Sequence, residues 1–154
     1  ELFCRLDVPE HQPIDLVVKF PTKEFLLISI RSLGDCKIVY NEMTSALYAR
    51  RKKGKGLKIW RPNPLDELSD QETWLRKNKR SLFGTTSKDS RAPLAKVLVL
   101  WHLTKLAEHT EQLSRLMDGQ KFLCIRQKGT VFVIESEQVV SFIRAYLSSR
   151  QLKK

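Results

Sequence analysis

The chain contains no apolar stretch approaching the ~20 residues that a bilayer-spanning helix requires, and no basic-then-apolar leader. Neither a membrane partner nor secretion is expected, and an intracellular setting, cytoplasm or nucleus, is. Cysteine is scarce: Cys4, Cys36 and Cys124 lie far apart, with no C-x-x-C pair and no Cys/His group at zinc spacing. Isolated thiols in odd number argue for a reducing compartment. Cys4 and Cys124 sit in apolar runs and are expected to be small buried hydrophobes. The chain also lacks G-x-S-x-G and H-E-x-x-H, and Gly54-Lys55-Gly56 lacks the frame of a phosphate-binding loop. These absences exclude zinc modules, nucleophile-elbow hydrolases and P-loop enzymes. No internal repeat or low-complexity tract is visible.

Negative charge is in short supply as well. Against 28 Lys and Arg stand only 17 Asp and Glu, a net charge of +11. A balance that basic speaks to partners and not to fold. It favours nucleic acid, DNA over RNA, together with other proteins of a nucleic-acid-processing complex. The cations cluster. Arg50, Arg51, Lys52, Lys53, Lys55 and Lys58 form one group, with Gly54 and Gly56 freeing the backbone to approach a phosphate. Arg76, Lys77, Lys79 and Arg80 form a second, extended by Lys88, Arg91 and Lys96. Trp60 and Trp74 lie beside these clusters, where they serve either as base-stacking surfaces or as core anchors.

With 154 residues, 42% of them hydrophobic, a single domain over 1–154 is expected, its best internal break being 81–91. Residues 2–8, 14–20 and 25–32 read as three strands. The third is almost continuously apolar and should be central, with both faces covered. Residues 41–53 read as a helix capped by Asn41, with Met43, Ala46 and Leu47 as its apolar stripe. Residues 57–60 form a short strand. Ser69-Asp70-Gln71-Glu72 reads as a capping box opening a helix. A loop over 83–91 follows, then a helix from Pro93 to Met117 with Leu94, Val97, Leu98, Trp101, Leu113 and Leu116 in the core. On it His102 and His109 would share a face. Residues 121–126 and 130–135 form a hairpin, and Ser136 caps a final helix. The expected fold is α/β, with α+β as the variant: a small mixed β-sheet flanked by helices.

Asp15, opening the second of three strands that precede a helix and a further strand, carries a resemblance over the first 60 or so residues. This order resembles the PD-(D/E)xK, restriction-endonuclease-like, nucleases. In that family an Asp on the second strand and an acid-x-Lys triplet on the third bind a divalent metal that activates water. The resemblance places Asp15 at the first position, as metal ligand, and Ser29-Ile30-Arg31 at the triplet. Ser29 replaces the acid, and it is a poor Mg²⁺ ligand. Arg31 replaces the lysine and keeps its proton. Mg²⁺ is the cofactor implied if the site is catalytic. A three-residue loop between Phe20 and Glu24 would set Asp15 opposite Ser29, and a two-residue loop would turn it to the other face. Glu24, Glu42 and Glu67 are the acids available to substitute, with Glu42 on the 41–53 helix, and His11 is an extra candidate ligand.

Three functional readings follow. One is a nucleic-acid-binding domain with a nuclease-like fold and an inactive or atypical metal site. The second is an active metal-dependent endonuclease using Asp15 and a migrated acid. The third is a basic protein-interaction or scaffold domain.

Overall fold

A computed structural model describes residues 1–52, 56–84, 92–126 and 128–151. The fold is mixed α/β, with two mixed sheets of seven and four strands and three helices among the described residues. Strands β1 (Leu2–Leu6), β2 (Ile14–Lys19) and β3 (Phe25–Arg31) form an antiparallel meander, as their alternation predicts. The β2–β3 turn is the three-residue one: Phe20 N–H donates to the Glu24 carbonyl at 2.9 Å, and Lys23 takes the left-handed conformation. Lys19 therefore faces Phe25 and Leu16 faces Ile28, which carries Asp15 opposite Ser29.

The helix expected over 41–53 is a hairpin. Strands β4 (Cys36–Asn41) and β5 (Ala46–Arg50) pair antiparallel, followed by β6 (Leu57–Ile59). Asn41 caps no helix; its Oδ1 accepts from the Met43 and Thr44 N–H groups and makes the turn. Met43, assigned to an apolar stripe, stands 96% exposed at the tip. The period that wins is two: Cys36 and Ile38, with Leu47 and Ala49, turn one face into the core.

Helix α1 (Pro64–Asn78) begins earlier than the capping-box reading. Asn63 is the N-cap, its Oδ1 accepting from Leu65 N–H at 3.0 Å, with Pro64 in the first turn. Ser69 to Glu72 lie inside the helix. Helix α2 (Arg80–Phe83) is one turn at the edge of the expected 83–91 loop; residues 85–91 lie outside the described residues.

The helix expected over 93–117 is three strands and a 3-10 turn: β7 (Leu94–Leu100), β8 (Thr104–Leu106), the turn at Glu111–Leu113, and β9 (Ser114–Met117). β7 runs parallel to β3 on one side and to β11 (Thr130–Glu135) on the other. β10 (Gln120–Arg126) joins β11 in the expected hairpin, and β9 closes the edge. The large sheet is ordered β1-β2-β3-β7-β11-β10-β9, and the small one β6-β5-β4-β8. Helix α3 (Val139–Gln151) ends the described chain, after a 3-10 turn whose capping box uses Glu135 and Gln138 in place of Ser136. None of the described helices is long and apolar enough to cross a membrane.

β3, β7 and β11 are buried on both faces. Leu27, Leu98, Leu100 and Val133 face α1 and the small sheet. Leu26, Ile28, Val97, Val99, Phe132 and Ile134 face α3. Trp101 is not in this core but 51% exposed, as is Leu116 at 65%, while Leu113 is half-buried. Cys4 is exposed, contrary to expectation; Cys36 and Cys124 are buried, and all three are free.

Among the described residues one cation lies inside. Lys96, 1% exposed, sends its ammonium to Glu72 Oε1 at 3.1 Å, the Lys128 carbonyl at 2.6 Å and Ser69 Oγ at 3.4 Å. Glu72 also accepts from Arg76 Nε at 3.0 Å. These oxygens replace the water that a side chain this deep gives up.

Candidate nucleic-acid interface

Two places gather the residues that the sequence singles out. The first is the corner where β2 begins and β3 ends. Asp15, Ser29 and Arg31 do share a face there, turned toward α1. Asp15 continues the β2–β3 ladder with its side chain: Oδ2 accepts from Ile30 N–H at 2.8 Å. Ser29 is buried. Arg31 donates to Glu67 Oε2 at 3.0 Å.

Of the three substitute acids, Glu67 is the one the fold delivers, because α1 starts beside the end of β3. Glu42 stands exposed in the β4–β5 turn, not on a helix. Glu24 is buried at the far end of β3, accepting from the Thr22 hydroxyl and from Arg150 Nε. His11 faces Asp70 at 3.9 Å.

This corner does not fit a divalent ion. Asp15 Oδ2 holds a backbone N–H, Glu67 Oε2 holds a guanidinium, and Ser29 brings no anionic oxygen. Among the described residues no three His, Cys, Asp or Glu side chains are arranged to share a metal. A hard cation of this kind asks for several oxygen ligands at once.

Burial raises the Glu67 carboxyl above its ordinary value, Arg31 pulls it back, and the nearby negative charges of Asp15 and Asp70 push it up again. A raised folded-state value means that the folded chain holds the proton better than the unfolded one. The stabilisation is complete below the ordinary glutamate range and is lost as pH rises through the raised value. Glu67→Gln should therefore flatten this part of the stability profile, with wild type losing stability relative to the variant as pH rises from the ordinary glutamate range, about 4, through the raised value. Parallel denaturant melts across that range would measure it, and a pH-independent difference would refute it.

The second place is the outer face of the small sheet. β4 pairs with β5 so that Lys37 faces Arg50, and with β8 so that Lys37 also faces Lys105; Arg50 in turn faces Leu57. Three cations thus stand in one row across three strands. With neighbouring strands ~4.8 Å apart, the row spans roughly 10 Å. Like charges directly opposite one another destabilise a sheet, so the fold carries this row at a cost. Lys52 extends it, 4.0 Å from Asp35, and Lys105 reaches Glu137 at 2.8 Å. A groove follows the row, lined by Lys37, Arg50, Lys52, Leu103 and Lys105 among others.

Of the first basic cluster, Arg50, Arg51 and Lys52 line this groove, to which Lys37 and Lys105 are additions. Arg51 is its strut, donating to the Leu33 carbonyl at 3.0 Å. Lys58 is exposed at the edge strand, and Lys53 and Lys55 lie outside the described residues. The second cluster does not join it. Arg76 turns inward, to Glu72, to the Ala92 carbonyl at 3.1 Å and over the Phe83 ring at 5.2 Å. Lys77, Lys79 and Arg80 are exposed. They sit where α1 ends, close to α2, whose Phe83 ring lies 4.5 Å from Phe25 at the start of β3. The length of β3, about 20 Å, separates them from the small sheet. Of its extensions, Lys88 and Arg91 lie outside the described residues, and Lys96 is the internal cation.

Two of the tryptophans are core anchors and the third is not. Trp60 is buried and Trp74 packs partly buried against the same core, while Trp101, expected inside, is on the surface. Nor do His102 and His109 share a helix: His102 lies in the β7–β8 turn, and His109 Nε2 accepts from Tyr40 N–H at 2.9 Å. No protein-family model matches the chain, and no curated protein or solved structure matches it either.

Proposed function

We propose that this domain binds nucleic acid through the outer face of its small sheet, on a nuclease-like frame whose acid corner has lost its metal. The observation that carries the reading is the row Lys105–Lys37–Arg50. Cross-strand cations that repel one another make sense where a polyanion neutralises them, since each phosphate contact releases condensed counterions. The net charge of +11 points the same way. The frame is supported by the meander β1–β3, by the crossover through α1 into the parallel strand β7, and by Asp15 opposite Ser29. The free cysteines suit an intracellular setting.

The test is fluorescence anisotropy with labelled oligonucleotides from 50 to 300 mM salt. Affinity should fall linearly on a log–log plot. Lys37→Gln with Arg50→Gln should reduce the slope by about 1.4 on a single strand, ~0.7 for each lost phosphate contact. Melting temperature should hold or rise, because the cross-strand repulsion is relieved. An unchanged slope and affinity would remove the row from the interface. Equal binding of polyglutamate at matched salt would replace nucleic acid with an acidic protein. Plasmid nicking with Mg²⁺ should be absent; robust nicking abolished by Asp15→Ala would make the domain a nuclease instead.

A further inference from the structure

Beside the basic row the fold displays apolar surface. Trp101 is 51% exposed and Leu103 is 53% exposed. Both belong to the turn joining β7 to β8, closed by Thr104 N–H to the Trp101 carbonyl at 3.4 Å. His102, between them, adopts the left-handed conformation (φ 58°), and its ring lies 5.7 Å from the indole. Leu103 lines the same groove as Lys37, Arg50 and Lys105, so the turn lies at the edge of the cations.

A large aromatic half in water, in the turn whose Leu103 lines a cationic groove, suits a ligand that is apolar on a flat face and anionic along its length. A base with its phosphate is such a ligand, and only an unpaired base offers that face. In a duplex the bases are stacked on one another, and the surface would meet phosphate and sugar alone.

Resting on the reading of the row as a phosphate-binding surface, we infer that the strand bound there is single-stranded, with Trp101 as a stacking platform for its bases and Lys37, Arg50 and Lys105 holding the adjoining phosphates. The turn then decides strandedness, and the row supplies affinity common to all nucleic acids.

The experiment uses the full chain, a 12-residue oligo(dT) and a blunt duplex of equal length, at one salt concentration. Oligo(dT) should quench tryptophan fluorescence in the wild type, and Trp101→Phe should remove that quenching while keeping most of the affinity. Trp101→Ala should weaken oligo(dT) binding roughly 5- to 150-fold, the range of one base–aromatic stack, and leave duplex binding within twofold. Melting curves should coincide, since the side chain is half in water and packs into neither core. Wild-type oligo(dT) affinity in Trp101→Ala, or an equal loss on duplex, would overturn the inference. The Lys37→Gln, Arg50→Gln variant separates the two claims. If it weakens both ligands while Trp101→Ala weakens neither, only the stacking role fails. If it changes neither, or if neither ligand binds, the phosphate-binding reading fails and this inference with it.

Discussion

Val99→Asp should unfold the domain, and Trp101→Asp should leave it folded. Val99 is 5% exposed in the middle strand of the large sheet, flanked by Ile30 on β3 and Ile134 on β11. An unpaired carboxylate there costs several kcal/mol. Domains of this size have about 5–15 kcal/mol in total. Two residues on, Trp101 has left the core, and aspartate there meets water. The pair discriminates between strand and helix. On a helix beginning at Pro93, Val99 would point away from the stripe of Leu94, Val97, Leu98 and Trp101, and the two outcomes would be reversed. Thermal melts followed by near-ultraviolet circular dichroism decide it: a cooperative transition in Val99→Asp at the wild-type temperature would refute the strand.

The second large effect belongs to the internal charge. Glu72→Gln removes the carboxylate of Lys96 and leaves the ammonium facing a carbonyl and a hydroxyl. Breaking a buried pair from one side costs about 3–5 kcal/mol. The lower end is expected here, because the Glu72 side chain is 21% exposed and solvent screens the pair. At about 2–4 °C per kcal/mol for a chain of this length, the melting temperature should fall by roughly 6–12 °C. Replacing both residues, Lys96→Met with Glu72→Leu, should recover most of that loss, since neither charge then remains to be desolvated. A double variant no more stable than Glu72→Gln would show that the ammonium's bonds to Lys128 and Ser69 contribute more than the ion pair.

Where alternation was clean, the sequence was a good guide. β1 to β3, the β10–β11 hairpin and α3 lie where their patterns place them. The failures have one physical cause. Leu94, Val97, Leu98 and Trp101 satisfy a helical spacing, yet Val97 to Leu100 is also an unbroken apolar run, and such a run suits either a helix or a strand covered on both faces. Met43, Ala46 and Leu47 misled in the same way. What decided the first segment was pairing with the distant strands β3 and β11, which no local window contains; what decided the second was the Asn41 turn, which folds β5 back onto β4. The proposed interface divides likewise. Arg50, Arg51, Lys52 and Lys58 are visible as a run. Lys37 and Lys105 join them only through the parallel register of β4 and β8. The exposure of Trp101 follows from where β7 stops, and its apolar neighbours gave no hint of that.

The long crossover between β3 and β7 also sets an order of events during synthesis. β3 is the most apolar strand of the meander, and its partner begins at Leu94, roughly 60 residues further on. At about 5–20 residues per second, the ribosome needs roughly 3–12 s to deliver it. Through that interval the meander presents an apolar edge with unpaired backbone groups, a template for other nascent chains. The small sheet cannot close either, because β8 emerges later still. Native pairings this distant in sequence also slow refolding of the finished chain. Yield on expression should thus depend on temperature and chaperone supply more steeply than the equilibrium stability of the finished domain would suggest.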